Sequence, residues 1–259
     1  MPEGHTVHRT ARHFQKAFAG NPVNVWSPQG RFTDAGLISG SKLIAARAIG
    51  KQLFLNFEPA TLRIHLGIYG KWQFGEFEEL PEPKGLVRAR FVSGNQFADL
   101  RGPTACELLD AQQLSAVEAR LGPDPLDTAA DAECFTNKVA KSKTAIGQLL
   151  MDQSVIAGIG NVYRAELLFR AGINPFTPGN QLTSEQALNL WLDAAALMPL
   201  GVKTGLMLTR EGFLKAKTRK EDRYYVYKRE GLPCRECGTN ISIALMATRK
   251  LYWCGNCQR

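Results

Sequence analysis

The sequence predicts an α+β protein with a β-rich N-terminal half, a helical half and a small four-cysteine module at the end. Three observations carry that expectation. Short apolar runs broken by Gly, Pro and Asn fill residues 22–100, helical apolar spacing takes over from about 130, and two C-x2-C pairs close the chain. At 259 residues and 44% hydrophobic the chain can bury a sizeable core. It has no apolar run of the roughly 18 residues that a membrane helix needs. The start, "MPEGHTVHRTARHFQK", is polar and basic, not a secretion segment. These features predict a cytoplasmic protein with no membrane partner.

The elements follow in order. Residues 5–19 carry Val7, Ala11, Phe14 and Phe18 at three- and four-residue spacing, which predicts an amphipathic helix. "LFLNF", "LRIHLGIYGKWQF" and "ARFVSGNQFADL" read as strands of a sheet or sandwich. "GPDPLD" at 122–127 reads as a linker, because its prolines end any helix. Helices are then expected at 130–139, 142–153, 161–171 and 183–198, the last opened by a capping box of Thr183 and Gln186. Residues 203–222 read as a flexible basic loop. The expected divisions are 1–121, 122–223 and 224–259.

Charge is uneven. Residues 1–199 hold 19 Lys/Arg and 19 Asp/Glu, whereas 200–259 hold 13 against 5, so the whole net charge of +8 lies in the last sixty residues. A neutral body with a basic end suits a polyanion such as nucleic acid, or only a solubilising face.

Cys234 and Cys237 form one pair and Cys254 and Cys257 the other, with sixteen residues between them. That is the spacing of a zinc ribbon holding one structural Zn2+ on four thiolates, with no position open to substrate. The intervening "TNISIALMATRKLYW" reads as a hairpin with Arg249 on or near its tip. Cys106 and Cys134 lack such spacing and read as half-buried thiols. Between two expected helices, "AGIGN" supplies glycines for sharp turning and backbone N–H groups at a helix start, a geometry suited to phosphate. Asn161 there either caps the helix or binds that phosphate. At the other end, loss of Met1 leaves Pro2 as a secondary amine beside the Glu3 carboxylate.

"MPEG", Gly50-Lys51, "HLGIYG" at 65–70, "LLMDQSVIAGIGNVYRAELLFRAGINP" and the cysteine ribbon occur together and in order. As a set they closely resemble the formamidopyrimidine-DNA glycosylase/endonuclease VIII family over nearly the whole chain. The resemblance implies an N-terminal β-sandwich with flanking helices, then a helix–two-turns–helix domain and a zinc finger, with DNA between the two halves. It implies a monomer acting on damaged DNA, either duplex or single-stranded and bubble forms.

It also implies roles. Pro2 would attack the sugar C1′ and form a Schiff base that eases loss of phosphate. With a pKa near 8, such an α-amine is roughly 10% free base at pH 7, against about 0.04% for a lysine. Glu3 would donate and shuttle protons, and Lys51 would touch phosphate and assist elimination. Arg249 would bind the flanking phosphates and assist δ-elimination, Asn161 would bind phosphate, and Arg120 is a further candidate DNA contact. Ile68 and Tyr69 are candidates for the wedge that fills the gap left by a flipped base. Ile68 is the favoured one, and strand alternation would bury one of the two. His5 and Thr6 stand where many relatives have Pro and Glu, which removes an acidic contact. With the short basic loop, the start leans toward the endonuclease VIII branch and oxidised pyrimidines. The alternatives are an 8-oxoguanine or formamidopyrimidine enzyme, and a relative that binds lesions without chemistry.

Overall fold

The structure, a computed structural model, describes residues 2–259. The chain divides into two compact units, one running to Ala119 and the other from Arg120 to Arg259.

In the first unit, α1 (Gly4–Ala17) is followed by strands β1 (Asn24–Trp26), β2 (Leu43–Ile49), β3 (Gln52–Phe57), β4 (Thr61–His65), β5 (Lys71–Glu76), β6 (Val87–Ser93), β7 (Gln96–Arg101) and β8 (Ala105–Leu109), then α2 (Ala111–Ala119). The strands form two antiparallel four-stranded sheets, ordered β1-β6-β7-β5 and β2-β3-β4-β8. β8 and α2 are not singled out by the sequence pattern: β8 has one buried residue and α2 none. One core joins both sheets through Leu53, Leu55, Leu62, Ile64, Ala89, Phe91, Ala98 and Leu100. α1 closes it with the stripe that its spacing announces. Phe14 is fully buried and meets the rings of Trp72, Phe74 and Phe91 edge-on. Inside the first sheet, Arg90 and Asp99 lie opposite each other on β6 and β7 and form a buried two-pronged ion pair at 2.6 and 2.9 Å.

The second unit contains α3 (Ala132–Ala140), α4 (Ile146–Leu149), α5 (Asn161–Arg170), α6 (Ser184–Thr204) and the hairpin β9 (Ser242–Met246) and β10 (Arg249–Trp253). "GPDPLD" is not a free linker. Gly122 N–H donates to Gln153 O, Pro123 O accepts from Ala157, and Asp124 is buried. α4 is one turn long, not the twelve residues expected. Ser142 and Thr144 instead give their carbonyls to Asn180 and Gly179, so the chain enters α4 extended. α6 opens with both halves of the Thr183–Gln186 capping box. It also runs past Pro199 to Gly205 (φ 75°), because Met198, Gly201 and Val202 remain buried beyond the proline. Among the described residues, no helix is long and apolar enough to cross a membrane.

Candidate functional site

In the first unit, Pro2 is half-buried just before α1. Glu3 takes the N-cap position with extended backbone, and its carbonyl accepts from Thr6 (2.9 Å) and Val7 (3.4 Å). Its carboxylate is fully buried yet makes no capping bond, so helix capping does not account for a glutamate here. Removal of Met1, on which the proposed amine depends, lies outside the described residues.

His5 is buried on the first turn, its Nε2 3.2 Å from Thr6 Oγ1. Burial, with neighbouring positive charge including Arg9 and His8, lowers its pKa to about 4, so the ring is neutral at pH 7.

α1 packs on β2 and β3, and Lys51 sits in the two-residue turn between those strands, after Gly50 at φ 56°. A residue that the sequence reading passed over fixes this turn. His65 Nδ1 donates to Lys51 O at 3.0 Å, because a carbonyl can only accept. Burial lowers the His65 pKa, which keeps that ring neutral as well.

His65 also ends β4, where the candidate wedge loop starts. Gly70 N–H closes the loop on Leu66 O at 2.9 Å. A Cβ on Gly67 would lie 1.9 Å from Thr104 Oγ1, and one on Gly70 would lie 2.3 Å from Leu66 O, so both positions require glycine. The loop leaves Ile68 43% and Tyr69 84% exposed. Strand alternation therefore does not bury one of them, because residues 66–70 turn instead of extending a strand.

In the second unit the two turns between α4 and α5 are organised by a side chain within the "LLMDQSVIAG" run. Gln153 Nε2 donates to Met151 O and Ile159 O, while its Oε1 accepts from Gly158 N. α5 takes Gly160 as its N-cap, so Asn161 is the first helical residue and not the cap. The Asn161 side chain reaches the hairpin, with Nδ2 donating to Lys250 O at 2.9 Å and Oδ1 accepting from Arg164. Arg249 follows directly on the hairpin turn and is half-exposed. The structure thus gathers Asn161 and the hairpin next to Arg249. Arg120 is exposed at the start of the unit.

The four cysteine sulfurs all lie within 4.8 Å of one another, with Cys237–Cys254 at 3.4 Å and Cys234–Cys257 at 3.9 Å. A tetrahedral ion with bonds of about 2.3 Å to sulfur needs edges of about 3.8 Å, so the cluster fits a metal ion. Of the other two thiols, Cys106 is half-buried with its pKa pushed up by burial to about 12, whereas Cys134 is exposed on α3 and not half-buried as expected.

The basic segment after α6 is not featureless. Arg210 stacks over Phe213 at 4.0 Å and pairs with Asp222, which also pairs with Arg219. Its stem is held by Glu166 of α5. That fully buried carboxylate accepts from the N–H groups of Tyr225, Val226 and Tyr227 and from Thr209 Oγ1, all at 2.7–2.9 Å. The only sequence signal for Glu166, as for Arg164, is a charged residue inside an otherwise apolar helix.

The model of the formamidopyrimidine-DNA glycosylase N-terminal domain matches residues 1–106, and that of the formamidopyrimidine-DNA glycosylase H2TH domain matches residues 121–211. The chain is 45% identical to a protein named Endonuclease 8 1 from Mycobacterium tuberculosis, covering all of both chains. It is 32% identical to a formamidopyrimidine-DNA glycosylase of Methylococcus capsulatus, again over the full length of both. Lactococcus lactis Fpg, solved with DNA containing N7-benzyl-Fapy-dG, shares the fold at a TM-score of 0.82 with 22% identity, covering 100% of each chain. The same protein with abasic-site DNA gives 0.82 and 22% over 99% of each.

A two-sheet unit with a buried N-terminal glutamate, followed by a helix–two-turns–helix unit carrying four clustered cysteines, is the architecture of a class of DNA glycosylases. The chain belongs to the formamidopyrimidine-DNA glycosylase/endonuclease VIII family.

Proposed function

We propose that this chain excises oxidised pyrimidines from DNA and then cleaves the resulting abasic site through a Schiff base on Pro2. The observation that carries the reading is the buried Glu3 carboxylate at the head of α1, next to Pro2 and not used as a cap. Attack of the Pro2 amine on C1′ expels the base; the C1′–O4′ bond then breaks, with Glu3 donating the proton to O4′, so the sugar ring opens and leaves an iminium ion, and Glu3 goes on to shuttle protons. The electron-poor iminium acidifies C2′, so β-elimination releases the 3′ phosphate. Lys51 assists that step and Arg249 the following δ-elimination. Asn161 and Arg249 bind the phosphates around the lesion, Ile68 and Tyr69 occupy the gap left by the flipped base, and Arg120 adds a peripheral contact.

In this reading residues 1–121 carry the chemistry and 122–223 the helical DNA-binding part, while 224–259 form a zinc ribbon in which Cys234, Cys237, Cys254 and Cys257 hold one structural Zn2+. The protein works as a cytoplasmic monomer. The pyrimidine preference is supported by the higher identity to the Endonuclease 8 1 protein than to the formamidopyrimidine-DNA glycosylase.

Borohydride trapping on abasic-site DNA tests the chemistry. A covalent adduct is expected, and it should vanish when the Pro2 amine is blocked by acetylation or a residual extension and weaken in Glu3→Gln protein. Absence of any adduct from correctly processed, metal-loaded protein would sink the mechanism. A panel of single-lesion oligonucleotides tests the preference, and faster excision of 8-oxoguanine than of oxidised pyrimidines would reverse it.

A further inference from the structure

Arg164 lies one turn into α5 and is fully buried, and no step proposed above uses it. A guanidinium keeps its charge and carries five donors in a rigid fork, so its burial requires acceptors. Here they come from three segments. One Nη2 donates to Asn161 Oδ1 and, at 3.3 Å, to Lys250 O. The Nη1 faces Met246 O at 3.3 Å and Gly147 O of α4 at 3.4 Å.

Met246 and Lys250 bracket the β9–β10 turn, with Arg249 between Thr248 and Lys250. The two turn residues, Ala247 and Thr248, have φ of 51° and 59°. Asn and Gly tolerate that conformation, whereas Ala and Thr adopt it only when something else holds it. The hairpin also approaches α4 closely. A Cβ on Gly147 would sit 2.8 Å from Met246 Sδ and 2.9 Å from Pro175 O. The fork of Arg164 therefore grips both ends of a turn whose own residues disfavour it. The same fork fixes the amide of Asn161.

We infer that Arg164 is a positioning residue: it holds the β9–β10 turn to the start of α5 and so sets Arg249 and Asn161 as one phosphate-binding pair. The inference rests on the phosphate-binding roles proposed above for those two residues. Lysine at this position keeps the charge but loses the fork, so charge alone does not suffice.

The test uses full-length, zinc-loaded protein. In Arg164→Lys, amide hydrogen exchange across residues 244–252 should accelerate at least roughly tenfold, the equivalent of one lost fork hydrogen bond. Affinity for a duplex carrying a tetrahydrofuran abasic analogue should fall by a similar factor, with a shallower salt dependence. Placed in an Arg249→Ala background, Arg164→Lys should cost less affinity than it does alone, because only the share carried through Asn161 remains. Introducing Ala247→Asn and Thr248→Gly, which suit the turn, should restore slow exchange. Unchanged exchange in folded Arg164→Lys would overturn the inference, as would fully additive losses with Arg249→Ala. Arg164→Gln provides a second variant, and failure of both to fold would assign Arg164 to the core instead. If Arg249→Ala alone leaves affinity intact, the phosphate role of Arg249 fails, while the exchange measurement still decides whether Arg164 holds the turn.

Discussion

The two compact units place their candidate functional residues by different physical means. In the first, Pro2, Glu3, Lys51 and the 66–70 loop sit at the ends of elements that clamp an apolar core of both sheets and α1. Apolar packing carries these elements, and His65 adds a directed bond to the Lys51 turn. In the second, the elements that matter are short or irregular, and buried polar groups set them. Gln153 shapes the two turns, Arg164 joins Asn161 to the hairpin, and Glu166 holds the stem of the basic segment. Packing tolerates change in proportion to lost volume, whereas a buried polar hub fails abruptly, because every partner is left unsatisfied at once.

The largest expected effect breaks the chemistry and spares both scaffolds. A residual extension or an acetyl group before Pro2 should lower abasic-site cleavage by on the order of 10³ or more, with DNA affinity and stability unchanged. Cleavage at wild-type rate from N-terminally blocked protein would exclude the Pro2 amine.

Next come paired stability tests. Phe14→Ala should destabilise the first unit by about 4 kcal/mol through cavity formation, read as faster hydrogen exchange in β3, β4 and β7 with α5 unaffected. Glu166→Ala should do the reverse. Three N–H groups and a hydroxyl lose their acceptor, and the second unit should weaken by about 3 kcal/mol, its exchange rising first around residues 209–227. If both variants slow or speed exchange equally in both units, the contrast between packed and hub-held regions does not stand.

A smaller effect is readable with pH. His5 has a folded pKa of about 4 against an ordinary 6.5. Between those values the unfolded chain binds more protons than the folded one, so stability falls as pH drops through that window. The loss from pH 7.5 to 5 should be about 2 kcal/mol in the first unit, and His5→Asn should flatten it. An equally steep slope in the variant would assign the pH dependence elsewhere.

The smallest effect on the fold belongs to the loop. Tyr69→Ala and Ile68→Ala should each change stability by less than about 0.5 kcal/mol, because both side chains are exposed, while lowering base excision by roughly tenfold. A wedge role confined to Ile68 predicts that only its substitution slows excision.

Much of this was legible in the residues. The α1 stripe, the strands from β3 to β7, the α6 capping box and the four-cysteine spacing are local signals with one physical solution each. The two-turn junction was legible as glycines but not in its geometry. α4 shrinks to one turn because residues 142–145 pair with 178–180, and that partner lies more than thirty residues away in the chain. Asn161 shows the same limit. Its place after the glycines suits either a cap or a phosphate contact, and only the hairpin carbonyl of Lys250 shows where its amide points.

By itself, then, the sequence determined the periodicities, the metal-ligand spacing and the Pro-Glu start, because each depends on neighbours a few residues apart. Tertiary structure alone decided that both wedge candidates face out, that His65 fixes the Lys51 turn, and that Arg164 and Glu166 are hubs. Those outcomes depend on which backbone donors and carbonyls from distant segments arrive at a buried charge. A charged residue in an apolar helix announces that it needs partners, but not which ones.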